Sequence, residues 1–343
     1  MPDAAGRPCV FGTTPAPNPS GTASACGEML VISVTIRQLQ VFLAIAKTEN
    51  IGTASEHLVM SKSAVSQALA ELEGRLGVQL FDRTRGRIHL TPEGRRLMPQ
   101  ADEMVNRAVG ISELFKVQKT FSAFRVGCTR TIGTFMLADL LRGYEDEKGW
   151  VPTATIANIQ QIVEKLGRFE LDTALIEGPV TDPDFVTEPW MEDEMIVIAP
   201  KEHPLTGRLV QYEELANAQW ILREEGSASR NFFDTQLRQK ISLVNVRVEL
   251  NSFDAILRSV IQGLGITYMS ARVLTDPFYG RYFSRVELPD VFVRQLTFCH
   301  QRDKYLSNDI RDWMSLCRRY AMRQNQLMKD RAKLRGYGFA SEG

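Results

Sequence analysis

Lys62, Ser63, Ser66 and Gln67 are short hydrogen-bonding residues and one cation gathered at the start of a helical pattern. A Gln amide can pair with an adenine edge, a Ser hydroxyl with several bases, and a Lys with guanine or phosphate, so this set could read a DNA major groove. Downstream, Arg83, Arg85 and Arg87 cluster around a short turn, with Arg95 and Arg96 beyond, against only Asp82 and Glu93. Arginines at such a tip suit phosphates or a narrow minor groove. A polar helix face or a basic loop alone is ordinarily just solvated. The two in succession are a more specific signal.

Two short helices must position the first set. In NIGTASEHLVMSKSAVSQALAELE, Asn50 to Glu73, apolar residues Ala54, Leu58, Val65, Leu69, Leu72 and Leu76 recur at helical spacing. The pattern breaks at Val59-Met60-Ser61, so two helices meet at a turn, with Ser61 as N-cap of the second and Gly77 at its end. The following VQLFDRTRGRIHLTPEGRR reads as a hairpin wing around Arg85-Gly86. An earlier helix carries the apolar stripe Leu39, Phe42, Leu43 and Ala46, and Arg37 and Gln38 at its start face either phosphate or solvent. From Thr35 to Arg96 the chain resembles the DNA-binding domain of LysR-type transcriptional regulators. It departs from them at Lys62 and Ser63, where that family often has Gln-Pro, so base preference does not carry over.

Thr91-Pro92-Glu93 is a helix start, with a capping Thr, a first-turn Pro and an acid at the positive end of the dipole. The helix is expected to run towards Lys119 and to bend near Pro99. Leu97, Ala101, Met104, Ala108, Ile111 and Phe115 alternate spacings of four and three, the seam of a two-stranded coiled coil, between polar flanks that include Asp102, Glu103, Asn106, Arg107 and Glu113. The alternative is that this stripe packs on its own domain. A dimer would place two recognition helices on two half-sites of an approximately palindromic operator.

The 343 residues call for two or three packed units. Lys plus Arg and Asp plus Glu both number 41, so the chain is not generally basic; positive charge concentrates in the wing and near the C-terminus. Cys9, Cys26, Cys128, Cys299 and Cys317 have no paired spacing, a reduced, cytoplasmic pattern. The four histidines are equally dispersed, with no metal cluster. Residues 1 to 28 are rich in Pro, Gly, Ala, Ser and Thr and read as a flexible extension without a secretory signal, with Met29 a candidate start. No run is long and apolar enough for a membrane span.

From Phe124 the pattern becomes short apolar runs alternating with helical ones. FRVGC, TATIA and DTALI read as buried strands separated by helices near Gly133–Glu147 and Gln160–Gly167, which implies a parallel sheet. MIVIAP, QWILR, VNVRVEL and GITYM form a second set, with helices near Tyr212–Leu215, Ser229–Arg238 and Asp254–Gly263. Two crossings between lobes are expected, near Glu188–Met195 and Val286–Thr297, before a final helix at about Asn308–Met322. The extension beyond Arg318 is either solvated or a basic helix.

Ligands of such sheets sit outside the strand C-terminal ends. Those ends carry Thr129, Arg130, Thr131, Ile132 and Gly133, then Asn158, Ile159 and Gln160, then Ser227, Ser229 and Arg230, and finally Asn251 and Ser252; Glu177 and Gly178 follow the third strand. Each single Thr, Ser or Asn is ordinarily a helix cap. Several converging helix starts would make an anion site, to which Arg130 and Arg230 could add charge. TRTIGTF, ANIQQIVEKL, LIEGP, EPWMEDEMIVIAP, WILREEGSASR and GLGITYMS resemble the YeiE-like branch of the LysR family, related to the sulfur-responsive CysB type. That resemblance implies a two-lobed effector domain like a type 2 periplasmic binding protein. It also implies a sulfur oxyanion such as sulfite held by Thr129, Thr131, Asn158, Gln160, Ser227 and Ser229.

The whole reading is a winged helix-turn-helix at 34–92 after an extension at 1–33, a linker helix at 93–121, an α/β effector domain at 122–320 and a tail at 321–343. Lobe I would take about 122–192 and 297–320, and lobe II about 193–296. Expected partners are an operator in double-stranded DNA, further copies of the chain in a dimer or tetramer, a small anionic effector, and RNA polymerase as a candidate; no cofactor is called for. A larger metabolite as effector and a solute-binding protein without DNA binding are the alternatives. An enzyme is disfavoured, since no metal cluster, phosphate loop or nucleophile elbow is present in the sequence.

Overall fold

The computed structural model describes residues 34–84, 87–113, 124–178 and 180–337. The N-terminal extension with Cys9, Cys26 and Met29, the wing tip Arg85-Gly86, and the linker beyond 113 with Phe115 lie outside the described residues.

Three helices open the head: α1 (Ile36–Thr48), α2 (Ile51–His57) and α3 (Lys62–Leu76). Leu39, Val41, Phe42, Leu43, Ile45 and Ala46 are all buried, so α1 is covered on most sides and forms the hub of the head. Gln38 is no phosphate contact: it is buried, closes a capping box with Thr35 and reaches Glu71. Val59 takes a left-handed φ of 52° in the turn, and Ser61 then caps α3. Val65, Leu69 and Leu72 are buried, but Leu76 is exposed, because the last turn of α3 outruns the cluster that those three enter.

The wing pairs β1 (Phe81–Thr84) with β2 (Arg87–Leu90) in antiparallel register from Phe81↔Leu90 to Thr84↔Arg87. Thr91 then caps α4 (Pro92–Glu113), accepting from the Gly94 N–H and donating to the Gln79 carbonyl. A Cβ at Gly94 would lie 2.2 Å from the Leu80 carbonyl oxygen, so only glycine lets α4 pack this closely on the wing. Ala101 is fully buried in the head core beside Met98, with Leu97 and Val105 packed against it. The expected seam is therefore corrected in its first half: Leu97 and Ala101 pack on their own head, whereas Met104 and Ile111 are exposed and Ala108 half-buried. Asp102, expected as a solvated flank, is also buried.

The α/β body begins with β3 (Arg125–Cys128), α5 (Arg130–Phe135), α6 (Leu137–Lys148), β4 (Thr153–Ile156), α7 (Ile159–Gly167) and β5 (Thr173–Glu177). The helix expected from Gly133 is two helices broken at Met136, where φ falls to −135°. Then come β6 (Phe185–Pro200), α8 (Tyr212–Leu215), β7 (Gln219–Arg223), α9 (Ala228–Phe232), β8 (Asn245–Leu250), α10 (Phe253–Ile261), β9 (Thr267–Ser270), β10 (Phe283–Val286), β11 (Phe292–Gln301) and α11 (Asn308–Tyr337). A π-helical turn and a 3-10 turn continue α9 to Lys240. Past Met322, where the final helix was expected to stop, α11 runs on to Tyr337.

β5, β3 and β4 are parallel neighbours, as the strand-helix alternation predicts. MIVIAP is only the second half of β6. β6 pairs antiparallel with β11 from Phe292↔Met195 to Gln301↔Phe185, with an irregularity between Leu296↔Met191 and Thr297↔Pro189 that leaves Trp190 without a partner. Both strands therefore span the body: the lobe that holds β3, β4 and β5 and the lobe that holds β9 and β10 share one seven-stranded sheet. β7 and β8 form a separate parallel pair, bridged to the rest at Trp220↔Ile266.

Candidate functional site

The head presents the first turn of α3 to solvent. Lys62, Ser63 and Gln67 are exposed and Ser66 is half-buried. The Ser61 hydroxyl is spent on its cap, accepting from the Ala64 N–H at 3.2 Å, and shares a 2.9 Å hydrogen bond with Ser63. Gln67 donates to Glu71 at 3.0 Å, one turn along the same face. Arg37 is exposed and touches the Leu58 carbonyl at the end of α2. Arg83 and Arg87 stand on the wing strands, with side chains outside the described residues, as is Arg85.

In the body, a pocket of about 10 Å³ lies where three helix starts meet. It is lined by Thr129 and Arg130 of α5, Asn158 and Ile159 of α7, Ser227 and Ala228 of α9, with Glu177 and Arg223 from strand ends. Arg130 crosses to the other lobe, donating to the Asn251 carbonyl at 3.2 Å and lying 3.9 Å from Glu224. Phe135 and Phe253 meet edge to face across the same gap.

The caps are not equivalent. Asn158 accepts from the Gln161 N–H in a capping box, Ser227 accepts from the Arg230 N–H, and Ser252 from the Ala255 N–H, so the three side-chain oxygens cap their helices while the Asn158 amide N–H and the Ser hydroxyl protons remain donors. Thr129 caps nothing. Its hydroxyl is buried, near enough to Glu177 to help depress that carboxyl, yet without hydrogen-bond geometry to any group. Thr131 is fully buried behind it, donating its N–H to Glu177 at 2.8 Å and accepting from Arg294 at 3.0 Å. Ser229 lies 3.4 Å from the same guanidinium.

Other expected site residues are placed elsewhere. Ile132 is in the apolar core of its lobe, and Gly133 is a packing position, where a Cβ would strike the Ile156 side chain. Gln160 is exposed outside the pocket, and Asn251 contributes a carbonyl to Arg130 instead of facing the pocket itself. Arg230 turns away into the second lobe, bound to Asp234, Glu249 and the Arg223 carbonyl.

Two arginines that the sequence reading missed organise the site. Arg223 lines the pocket, paired with Glu224 at 2.7 Å and set over the Phe253 ring. Arg294 is buried on β11 directly opposite Asp193 of β6, bonds Glu177 at 2.6 Å and Asp193 at 2.9 Å, and thereby ties α5, the crossing strands and α9 together. Burial alone would raise the Glu177 carboxyl, but Arg294 and the Thr131 N–H outweigh it and hold it below the usual range. Cys128 adjoins Thr129, but burial pushes its thiol up to about 12, which keeps it protonated and unreactive. Among the described residues no group of three or more His, Cys, Asp or Glu could hold a metal ion, and no helix is long and apolar enough to cross a membrane.

A winged helix-turn-helix joined by one helix to a two-lobed α/β body with a pocket between its lobes is the build of a ligand-responsive DNA-binding regulator. Comparison with known families agrees: the bacterial regulatory helix-turn-helix family of LysR type matches residues 36–95, and the LysR substrate binding domain matches residues 120–322. The chain belongs to the LysR family of transcriptional regulators and is not an enzyme. It is 37% identical over 286 residues to the Escherichia coli HTH-type regulator YeiE, covering 83% of this chain and 97% of that protein. The Bacillus subtilis regulator CysL is 27% identical over 267 residues, 76% and 89% of the two chains. Among solved structures, full-length OxyR from Pseudomonas aeruginosa superposes with a TM-score of 0.66 at 23% identity, over 84% of this chain and 96% of that one, a likeness of fold.

Proposed function

We propose that this regulator binds an approximately palindromic operator as a dimer or tetramer and responds to a small oxyanion of the sulfite kind in the pocket at Thr129, Asn158 and Ser227. The observation that carries the reading is the Thr129 hydroxyl, buried and unpartnered at the pocket wall. Leaving such a group unmatched costs about 1–3 kcal/mol, and a bound anion would accept its proton. Arg130 and Arg223 supply positive charge at the same wall, and the starts of α5, α7 and α9 point there. As it stands the pocket has room for little more than one water, so an anion of a few atoms would enter by parting the lobes around it.

Glu177 refines the ligand class. Its carboxylate lines the pocket, already matched by Arg294 and Thr131. An oxyanion that carries a proton near neutral pH can donate to it, whereas one that is fully ionised is repelled. Sulfite and phosphate are of the first kind and sulfate of the second.

Thermal unfolding of the full chain against sulfite, phosphate and sulfate tests this, because a ligand of the native state stabilises it by RT ln(1 + [L]/Kd). A concentration-dependent rise is expected for sulfite or phosphate and little for sulfate. Thr129→Val removes the hydroxyl with little change of shape, and since that hydroxyl lacks hydrogen-bond geometry yet sits beside the Glu177 carboxylate, the unliganded protein should change stability by no more than about 1 kcal/mol while the rise is abolished. Equal responses to sulfate would remove Glu177 from the ligand's surroundings, and an unaltered rise in Thr129→Val would remove the pocket.

A further inference from the structure

The head and the body of one chain meet at a buried ion cluster that no DNA or ligand contact explains. Lys304 is 1% exposed at its side chain, and its ammonium lies 2.5 Å from Asp102 of the linker helix α4 and 2.6 Å from Asp172 of the body. Arg125 binds the same Asp172 at 3.1 Å. Beside it Phe169, held at a left-handed φ of 55°, belongs to the apolar core of the head, and the Lys304 ammonium sits 5.4 Å from its ring. A left-handed Phe persists only where its surroundings dictate it. At the rim Arg168 reaches Glu49 at the end of α1, and Arg107 of α4 stacks on Tyr305.

The placement of this cluster relative to the pocket is what gives it meaning. β5 runs from beside Asp172 to Glu177, and β11 runs from Arg294 towards Lys304. The two strands pair antiparallel from Leu296↔Glu177 to Cys299↔Ala174. One hydrogen-bonded strand pair thus carries a buried ion pair at each end: Glu177 with Arg294 in the pocket, and Asp172 with Lys304 against the DNA-binding head. Strands locked in register move as a unit, and buried ion pairs tolerate few alternative geometries, so a displacement at one end of the pair is carried to the other.

We propose that Lys304, Asp102 and Asp172 form a latch that couples the pocket to the DNA-binding head through the β5–β11 pair. Rearrangement of Glu177 and Arg294 around a bound anion shifts the strand pair and with it the seat of α4, so the head is offered to DNA at a different angle. The inference rests on the reading that the pocket takes an anion, with sulfite as the probe.

The test uses the full chain with Lys304→Met and, should that variant fail to fold, Asp102→Asn, which keeps shape and hydrogen bonding but removes the charge. In the wild type, sulfite is expected to change affinity for a selected operator fragment about five-fold or more. In the variants the sulfite-induced rise in thermal stability should persist while its effect on DNA affinity falls below about two-fold. Retention of the full effect in both variants overturns the latch, as does sulfite binding to the wild type without any change in DNA affinity. If sulfite does not bind the wild type, the ligand reading fails and hydrogen exchange decides the latch separately. Faster exchange in α1 and residues 165–172 of the variants that extends along β5 to the Thr131 N–H bonded to Glu177 supports it, and exchange that is unchanged, or faster only at the junction, overturns it.

Discussion

Lys47, near the end of α1, faces Arg125, Asp102, Lys304 and Asp172 across the junction between head and body. Burial, followed by the charge of Arg125, lowers its pKa from 10.5 to about 8, against the smaller opposing effects of the two aspartates. The folded chain therefore holds this proton less readily than the unfolded one. Below about pH 8 both states are protonated and the cost is borne in full; between about 8 and 10.5 only the unfolded state keeps the proton, so stability rises with pH across that window. Lys47→Met should thus stabilise the protein at pH 7 by on the order of 1–3 kcal/mol, with the gain fading by pH 10.5, as urea titrations at several pH values would measure. Single residues of this kind were the least legible in the sequence. Thr129, Asn158 and Ser227 look alike as cap letters, and only the structure separates the hydroxyl that caps nothing from the two side-chain oxygens that cap α7 and α9. Arg294 did leave a signal: with Phe292 and Leu296 it occupies the inward positions of an alternating strand, as Asp193 does between Met191 and Met195. A charge in an inward slot asks for a buried partner, and two such slots face each other in register.

Periodicity made the elements legible and left their partners open. The four-three spacing along α4 correctly marks an apolar stripe, but a stripe does not say what covers it. Leu97 and Ala101 are taken by the chain's own head, while Met104, Val109 and Ile111 remain exposed. That unpartnered second half is where a second copy would pack, by the dimer reading. Ile111→Asp is expected to shift the protein towards monomer in sedimentation equilibrium. Two buried Ile side chains related by a two-fold are worth at least about 3 kcal/mol, on the order of a hundred-fold in the dissociation constant. The same limit applies to β6, where MIVIAP stands out as an apolar run while Phe185 to Glu194 does not. Its exposed and charged positions and Pro189 conceal a strand whose continuity is supplied by β11.

At the scale of the whole molecule, the union of head and body was not legible, because Asp102 and Lys304 are 202 residues apart and both read as ordinary surface charges. The family likeness and the two-part architecture were legible, since they rest on local patterns. With basic and acidic residues in equal number, attraction to DNA cannot come from the overall field and must come from a few placed groups. Those groups should separate by their response to salt. Arg85 lies outside the described residues; from its sequence position, a cation of its kind suits phosphates or a narrow groove, so Arg85→Ala should weaken binding to all sequences and flatten the log–log salt dependence by about one per head. Gln67 is exposed on α3 and donates in the free protein to Glu71, a bond that an adenine edge can replace. Gln67→Ala should therefore leave the salt slope unchanged and cost about 1–3 kcal/mol on the preferred operator, with a much smaller loss on sequences altered under that helix. Binding isotherms on the selected operator and on a base-substituted copy, each at several salt concentrations, measure both quantities. If the two variants lost affinity in the same way on both sequences, α3 would be a phosphate contact, and the sequence reader would have to be sought elsewhere on the head.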